Sequence, residues 1–444
     1  MKKKFKGSLV LSLAFVFGLF CQGAFADVFY TTSNHSTGSV GLLDRGKDVW
    51  TVNKNLLTNL AGDSYAYGFN DPDGRSRAFV REYSYGPNDN VMGFDPHNWG
   101  APLFETKEWG TNIHAAASSG RYLYVVTYER RAAENPQEQL PGEIVRIDMG
   151  DAYRVDKRVP KENVTIQGKT YSPRGDGIVV VGDNVYVLWS LADAEFKSYL
   201  PSELVKMTKE LAVVKTALVG KNTGSPSVGN MAYHGGKLYV AALGGAQGDD
   251  DGEIHEVDVS TMAVREVLDG ETIDIYEDTA GTKKLSPGIH GVAIGKDGTV
   301  LVLAGAYTAD WSAFVANLFK TTVSGLSAGK IGEKIADFRS TGFSWTVMFD
   351  PYGEKFWAMA GKELKMFNKV GTLERTFTSA ELGDNIYSIV AVASKQGAPT
   401  PTPPASDDES GSGGGGCSNG FGGVFVCLAA FVLRRAATAG RKGR

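Results

Sequence analysis

Apolar and polar positions alternate along most of this chain in short runs broken by turns. One five-residue pattern recurs: an acidic residue or Asn, an aliphatic residue, two variable positions, then an apolar one. It reads DVWTV from Asp48, NVMGF from Asn90, EIVRI from Glu143, ELVKM from Glu203, EIHEV from Glu253, NLFKT from Asn317 and ELKMF from Glu363. The sixth copy ends on Thr321 instead of an apolar residue, and the starts are 42, 53, 60, 50, 64 and 46 residues apart. Alternation of this kind marks half-buried strands. Each copy runs through a turn into another short strand, as in YRVDKRV and TLERTFTS. Ahead of most copies two apolar runs flank a turn: NIHAAASSGRYLYVVT, DGIVVVGDNVYVLWS, GNMAYHGGKLYVAAL, GIHGVAIGKDGTVLVLAG, FSWTVMFDPYGEKFWAMAG and the more polar SYAYGFNDPDGRSRAFVREYS. These are strand–turn–strand signals.

The repeating unit is therefore four strands at a period near fifty residues. One four-stranded sheet cannot cover both of its faces, but sheets packed around an axis cover one another. The first copy is incomplete: VFYTTSN from Val28 reads as a second strand with no first strand before it. NIYSIVAVAS from Asn385 reads as a first strand with nothing after it. Joined, the two complete a seventh unit and close the ring, which removes exposed sheet edges. Residues 27–394 thus resemble a seven-bladed β-propeller of the broad WD40-like or YVTN-like kind. The resemblance is one of architecture, because neither Trp-Asp strand endings nor a Tyr-Val-Thr-Asn motif recurs. The fold class expected is all-β, with a β-sandwich or two smaller β-domains as the alternative.

Both ends differ from this body. Residues 1–26 have a basic start, an apolar run from Leu9 to Phe20, and the small-x-small sequence AFA ending at Ala26. This is the anatomy of a secretory signal peptide cleaved after Ala26. Residues 395–416, KQGAPTPTPPASDDESGSGGGG, are Pro-rich, then acidic, then Gly-rich, and read as a disordered tether. Residues 417–435 follow with Cys417, a short apolar stretch from Phe421 to Leu433, and Arg434–Arg435; residues 436–444 form a basic tail. Thirteen apolar-segment residues make a helix of roughly 20 Å, shorter than a bilayer core of ~30 Å. The order of glycines, Cys, small polar pair, Gly-Phe-Gly, apolar run and arginine pair resembles the C-terminal sorting signals called Synerg-CTERM and, more distantly, MYXO-CTERM. That resemblance implies an exported protein held at the membrane, read by a processing enzyme through Cys417, and fixed to the cell envelope or surface. A plain C-terminal membrane anchor is the alternative.

Charge narrows the partners. The chain holds 46 basic and 50 acidic residues, but nine of the basic ones lie in residues 1–26 and 434–444, which carry no acid. The body is left with 37 against 50, a balance of −13, so it lacks the basic footprint of a nucleic-acid binder. Its three cysteines, Cys21, Cys417 and Cys427, all lie outside the repeats. A body of this size is stable without disulfides even in an oxidising compartment.

Aligning the strand–turn–strand segments on their turns puts His114, Asp176, Asn230, His290 and Trp345 at equivalent starts of inner strands. Tyr387 or Ser388 comes from the closing strand, and Tyr65 or Ala66 from the polar copy. Such residues at one mouth of a ring suit a small polar ligand or a cation, or simply cap the strands. The carboxylate-rich GDDDGE, Gly248–Glu253, offers oxygen ligands but lacks EF-hand spacing. No HExxH pair or P-loop occurs, and no metal or cofactor is implied. The expected function is non-enzymatic binding of a protein, peptide or glycan partner. The alternative is a hydrolase or lyase using His114, Asp176 and His290 around the axis.

Overall fold

In the computed structural model the described residues are 26–393, apart from positions 35, 46–48, 84–88, 99–100, 133, 136–137, 225–228, 246–251, 342–344 and 351. Seven antiparallel sheets follow one another along the chain, the blades of a β-propeller. Blade 1 takes Asn385–Ala393 as its inner strand, then Ala26–Ser33, Thr37–Arg45 and Trp50–Ala61 outward. The inner strands of blades 2 to 7 are Asp63–Asn70, Ile113–Ser119, Lys169–Val181, Met231–His234, Gly288–Ile294 and Trp345–Phe349. Blade 4 carries a fifth, short strand, Val164–Ile166, beside its long inner strand.

The ring closes as the sequence predicts. Asn385–Ala393 pairs antiparallel with Ala26–Ser33, from Ala26 opposite Ala393 to Ser33 opposite Asn385. Six of the seven recurring pentapeptides lie on third strands. The first does not. The third strand of blade 1 is Thr37–Arg45, and the residues after Asp48 begin the outermost strand at Trp50. The apolar alternation of Val40 and Leu42, both buried, was masked by the glycines and serine around it. The leader through residue 25, the tether, Cys417 and the C-terminal tail lie outside the described residues.

Seven buried apolar clusters hold the ring, one at each joint between blades. Phe29, Val40, Ala66 and Val80 join blade 1 to blade 2, for example, and Val28, Leu43, Met348 and Trp357 join blade 7 to blade 1. Blades 2 to 7 are joined in the same way. The core is thus distributed around the ring, and burial at each joint scales with the apolar area that two neighbouring faces remove from water. The strand pattern dictates this directly, because alternate residues point to opposite faces and both faces are covered.

Candidate functional site

Inner strands begin, second strands end and third strands start at one end of the ring, here called the upper end. The six axial residues expected from the sequence lie there, and four share a backbone feature. His114 is the extra residue of a β-bulge, since Ile113 pairs with Thr127 and Ala115 with Val126. Asp176 falls between Gly175, opposite Trp189, and Gly177, opposite Leu188. His290 falls between Ile289 and Gly291, opposite Ala304 and Leu303. Tyr387 falls between Ile386 and Ser388, opposite Thr32 and Thr31. A bulge re-aims the side chain of its extra residue. Asn230 instead precedes its strand, and Trp345 opens a regular one.

These residues do not line an open mouth: all six are buried, from 0 % exposure at His114 to 6 % at His290. Tyr387, Asp176, Asn230, His290 and Trp345 are each tied to a neighbouring blade, and His114 lies next to such a tie. Tyr387 packs on Tyr65 of blade 2 at 5.6 Å between ring centroids, and beside it the Ala66 N–H donates to Ser388 Oγ at 2.8 Å. Tyr67 of blade 2 donates its hydroxyl to the Ile113 carbonyl of blade 3. Asn230 Nδ2 donates to the Asp176 carbonyl at 2.9 Å. His290 stands edge-on to Trp345 of blade 7.

One residue reaches across to two other blades. Gly229, just before the inner strand of blade 5, has φ +104°. A Cβ there would stand 3.2 Å from the carbonyl oxygens of both Val292 and Val347, on the inner strands of blades 6 and 7. The Val292 N–H donates to the Gly229 carbonyl at 2.6 Å. Only a residue without a side chain approaches two backbones this closely in the left-handed region.

Burial sets the protonation of the group. His114 is held well below the ordinary histidine range by desolvation first, then by the positive charges of Arg81 and Arg174. Its ring stacks on Tyr128 at 4.2 Å, with the Gly175 backbone beside it. His290 is pushed down to about 3 by desolvation; its Nε2 meets the Gly305 carbonyl oxygen at 3.0 Å. Asp176 is pushed up to about 7 by desolvation, opposed by hydrogen bonds from Ser190 and Thr223. The Ser190 N–H reaches its Oδ2 at 3.1 Å and the Thr223 hydroxyl at 3.0 Å, while Oδ1 has no hydrogen-bond partner among the described residues. Each of the three residues proposed for axial catalysis is therefore held by its own set of neighbours.

Sequence reasoning missed a charged knot beside them. Glu129, fully buried, accepts from the Tyr83 hydroxyl at 2.7 Å, from Arg131 at 2.6 Å and from Arg174 at 3.3 Å. Arg81 lies behind it, donating to the Asp63 carbonyl at 3.0 Å, with its guanidinium 4.9 Å from the Tyr65 ring and 5.4 Å from the Tyr83 ring. The basic pair after TYE at Glu129 was the available signal. It sits in the short hairpin Glu129–Arg131 with Gln139–Pro141, inserted between the second and third strands of blade 3.

A second cluster was also missed. Residues 248–251 of the acidic loop lie outside the described residues, but Glu253, His255 and Glu266 bring ligand atoms within 4.8 Å of one another. The register puts His255 opposite Glu266, and Glu253 shares its face two residues away. However, the Gly220 N–H of blade 4 donates to His255 Nδ1 at 3.2 Å. A neutral ring that accepts there carries its proton on Nε2, which faces Glu253 at 3.7 Å. The lone pair a metal needs is absent in that tautomer, so the cluster reads as a polar tie between blades 4 and 5.

No family model matches the chain, and no curated protein does. Solved structures do. A functionally unknown protein from Desulfotomaculum acetoxidans is 10% identical with a TM-score of 0.50, over 84% of this chain and 100% of that one. A hypothetical selenium-binding protein from Sulfolobus tokodaii is 10% identical with a TM-score of 0.47, over 84% and 92%. An acylaminoacyl peptidase of Pyrococcus horikoshii is 13% identical with a TM-score of 0.43, over 81% of this chain and 53% of that one. At these identities the likeness is one of fold, and the chain is a seven-bladed β-propeller.

Proposed function

We propose that this chain is an exported, envelope-anchored binding protein that presents the upper end of its ring to a protein, peptide or glycan partner. One observation carries the reading. The polar residues around the axis are buried among contacts that hold blade to blade, and Gly229 of blade 5 lies against the inner strands of blades 6 and 7. Recognition is then left to the loops above them, which a rigid ring displays without reorganisation. The leader and the glycine–cysteine–apolar–arginine tail support export and retention, with Cys417 as the residue a membrane processing enzyme would act on.

The test uses the full chain in its own cells. Fractionation should recover it with the envelope, and mass spectrometry should find a C-terminus shorter than Arg444. A photo-reactive side chain at exposed Ala309, on the upper end, should capture a partner. The same group at Gly353, in a turn at the opposite end, should not. Equal capture from both positions would remove the case for an upper binding face.

The enzymatic alternative, a hydrolase or lyase, uses His114, Asp176 and His290 around the axis, and the observation that favours it is the Asp176 Oδ1, buried without a hydrogen-bond partner among the described residues. Asp176→Asn leaving every measured turnover unchanged would remove it.

A further inference from the structure

Blades 4 and 6 build the same loop at the upper end from short sequences, DAEFKS and TADWSA, that share Ala, an acidic residue and an aromatic residue at their second, third and fourth positions. Asp193–Ser198 and Thr308–Ala313 each span six residues. The first residue's N–H reaches the carbonyl of the sixth, at 3.1 Å for Asp193 and 2.9 Å for Thr308. The fourth residue's N–H returns to the carbonyl of the first, at 3.1 Å from Phe196 and 2.8 Å from Trp311. In both loops the fourth residue is aromatic and left-handed, with φ 55° at Phe196 and 60° at Trp311. This position favours Gly or Asn, and a bulky residue there is strained. Leu211 and Met262 take the same left-handed φ in comparable turns, but both are buried, whereas the Trp311 ring stays largely outside the core, so packing does not account for keeping a strained aromatic residue there.

The two rings top aromatic ladders that descend to the bulged histidines. Trp311 stacks on Tyr307 at 5.0 Å, Tyr307 packs on Phe314 at 5.2 Å, and Phe314 stacks on Trp345 at 4.4 Å, beside His290. Phe196 lies parallel to Tyr128 at 6.4 Å, and Tyr128 stacks on His114. Trp311 is 40% exposed. The exposed neighbours of the two rings are polar: Asp310 and Ser312 beside Trp311, Glu195 and Lys197 beside Phe196. The Asp310 carboxylate is locked by the Thr308 hydroxyl at 2.7 Å and the Ser312 N–H at 3.0 Å, so the platform is rigid before anything binds.

We propose that Trp311 and Phe196 are stacking platforms for a neutral glycan laid across the upper end. This deepens the binding reading above and rests on it. A sugar ring offers a face of C–H groups to the electron-rich face of an aromatic ring, and a rim of hydroxyls to the carboxylates and hydroxyls beside it. A protein anchor would instead call for apolar surroundings that exclude water, which these loops do not provide. A nucleic acid also stacks on aromatics, but the acidic body, at −13, repels its phosphates, and an acidic polysaccharide meets the same repulsion.

The experiment titrates the full chain, in a detergent without a sugar headgroup, with cellohexaose, chitohexaose, xylohexaose and maltohexaose, and reads tryptophan fluorescence and heat. At least one should bind, and Trp311→Gly should weaken it by at least tenfold. Because Gly relieves the strain, the same variant should melt no lower than the parent, which separates a platform from a structural residue. A lower melting temperature with unchanged affinity overturns the proposal. So does preferential binding of a proline-rich peptide or a polyuronate. No binding in the panel, with a protein captured from Ala309, overturns the glycan assignment and leaves the broader binding reading standing; no capture either sinks both.

Discussion

The imidazole of His290 stands edge-on to the indole of Trp345, with centroids 4.3 Å apart and planes at 79°. Its Nε2 meets the Gly305 carbonyl oxygen at 3.0 Å, which fixes the neutral tautomer with its proton on Nε2. Desolvation pushes the ring down to about 3, so between that value and the ordinary one near ~6.5 the unfolded chain holds a proton the folded chain lacks. Stability from this site is fully present above about 6.5 and is lost as pH falls through the window, at about 1.4 kcal/mol per pH unit. His114 adds to the slope in the same direction. His290→Gln should flatten the acid limb of a denaturation-midpoint profile between pH 6.5 and 4; an unchanged limb would show that the ring titrates freely.

Asp176 works with the opposite sign. Burial pushes its carboxyl up to about 7, so the folded chain holds a proton that the unfolded chain has released above about 4. Its contribution is most favourable below that value and declines as pH rises to 7. Asp176→Asn keeps acceptors for Ser190 and Thr223 and removes the ionisation. Thermal melts should show the variant gaining on the parent at pH 8 relative to pH 4.

Glu129 holds Tyr83, Arg131 and Arg174 together out of contact with water. Removing one partner of a buried ionic knot leaves uncompensated charge, at about 3–5 kcal/mol. Glu129→Ala should lose that much in chemical denaturation, and Glu129→Gln less, because the amide oxygen still accepts from Tyr83. Equal loss in the two variants would mean that charge is unimportant there.

Ser388 belongs to the closing strand and bonds two other strands. Its Oγ shares a hydrogen bond with Thr31 Oγ1 at 2.7 Å and accepts the Ala66 N–H at 2.8 Å. Ser388→Ala strands both partners without access to water, at about 1–3 kcal/mol. Denaturant titration checks this, and a change under ~0.5 kcal/mol would place the closure energy elsewhere.

Gly229→Ala puts a methyl group 3.2 Å from two carbonyl oxygens at a left-handed φ. The expected loss is about 1–3 kcal/mol from overpacking alone. A variant as stable as the parent would mean that the segment around Gly229 shifts at no cost.

The number of blades and the closure were legible because a four-stranded period and two half-units leave few ways to cover every sheet face. What escaped depends on pairs. The slip in blade 1 arose because Thr37–Arg45 lacks the acidic start of the other third strands. The bulges at His114, Asp176, His290 and Tyr387 exist only as a mismatch between one strand and its partner, which no single segment records. Alignment still brought those residues to one end, because a strand start marks position even when register is unknown. Burial, the contacts of Gly229 and the knot around Glu129 come from residues far apart in the chain, where local pattern is silent; the turns at Phe196 and Trp311 are local, but their left-handed φ is not written in the apolar alternation.

The closing strand has a consequence for the order of events in synthesis. Asn385–Ala393 is made after every other strand of the ring, yet it is the innermost strand of the first blade. Until it arrives, Ala26–Ser33 waits with an open edge, and the apolar side chains that Val390 and Ile389 will cover, such as Phe29 and Met348, have no counterpart. The molecule therefore cannot lock while its chain is partial. A ribosome that stalls early releases an open arc, and a truncated product exposes sticky backbone that a quality-control protease can find.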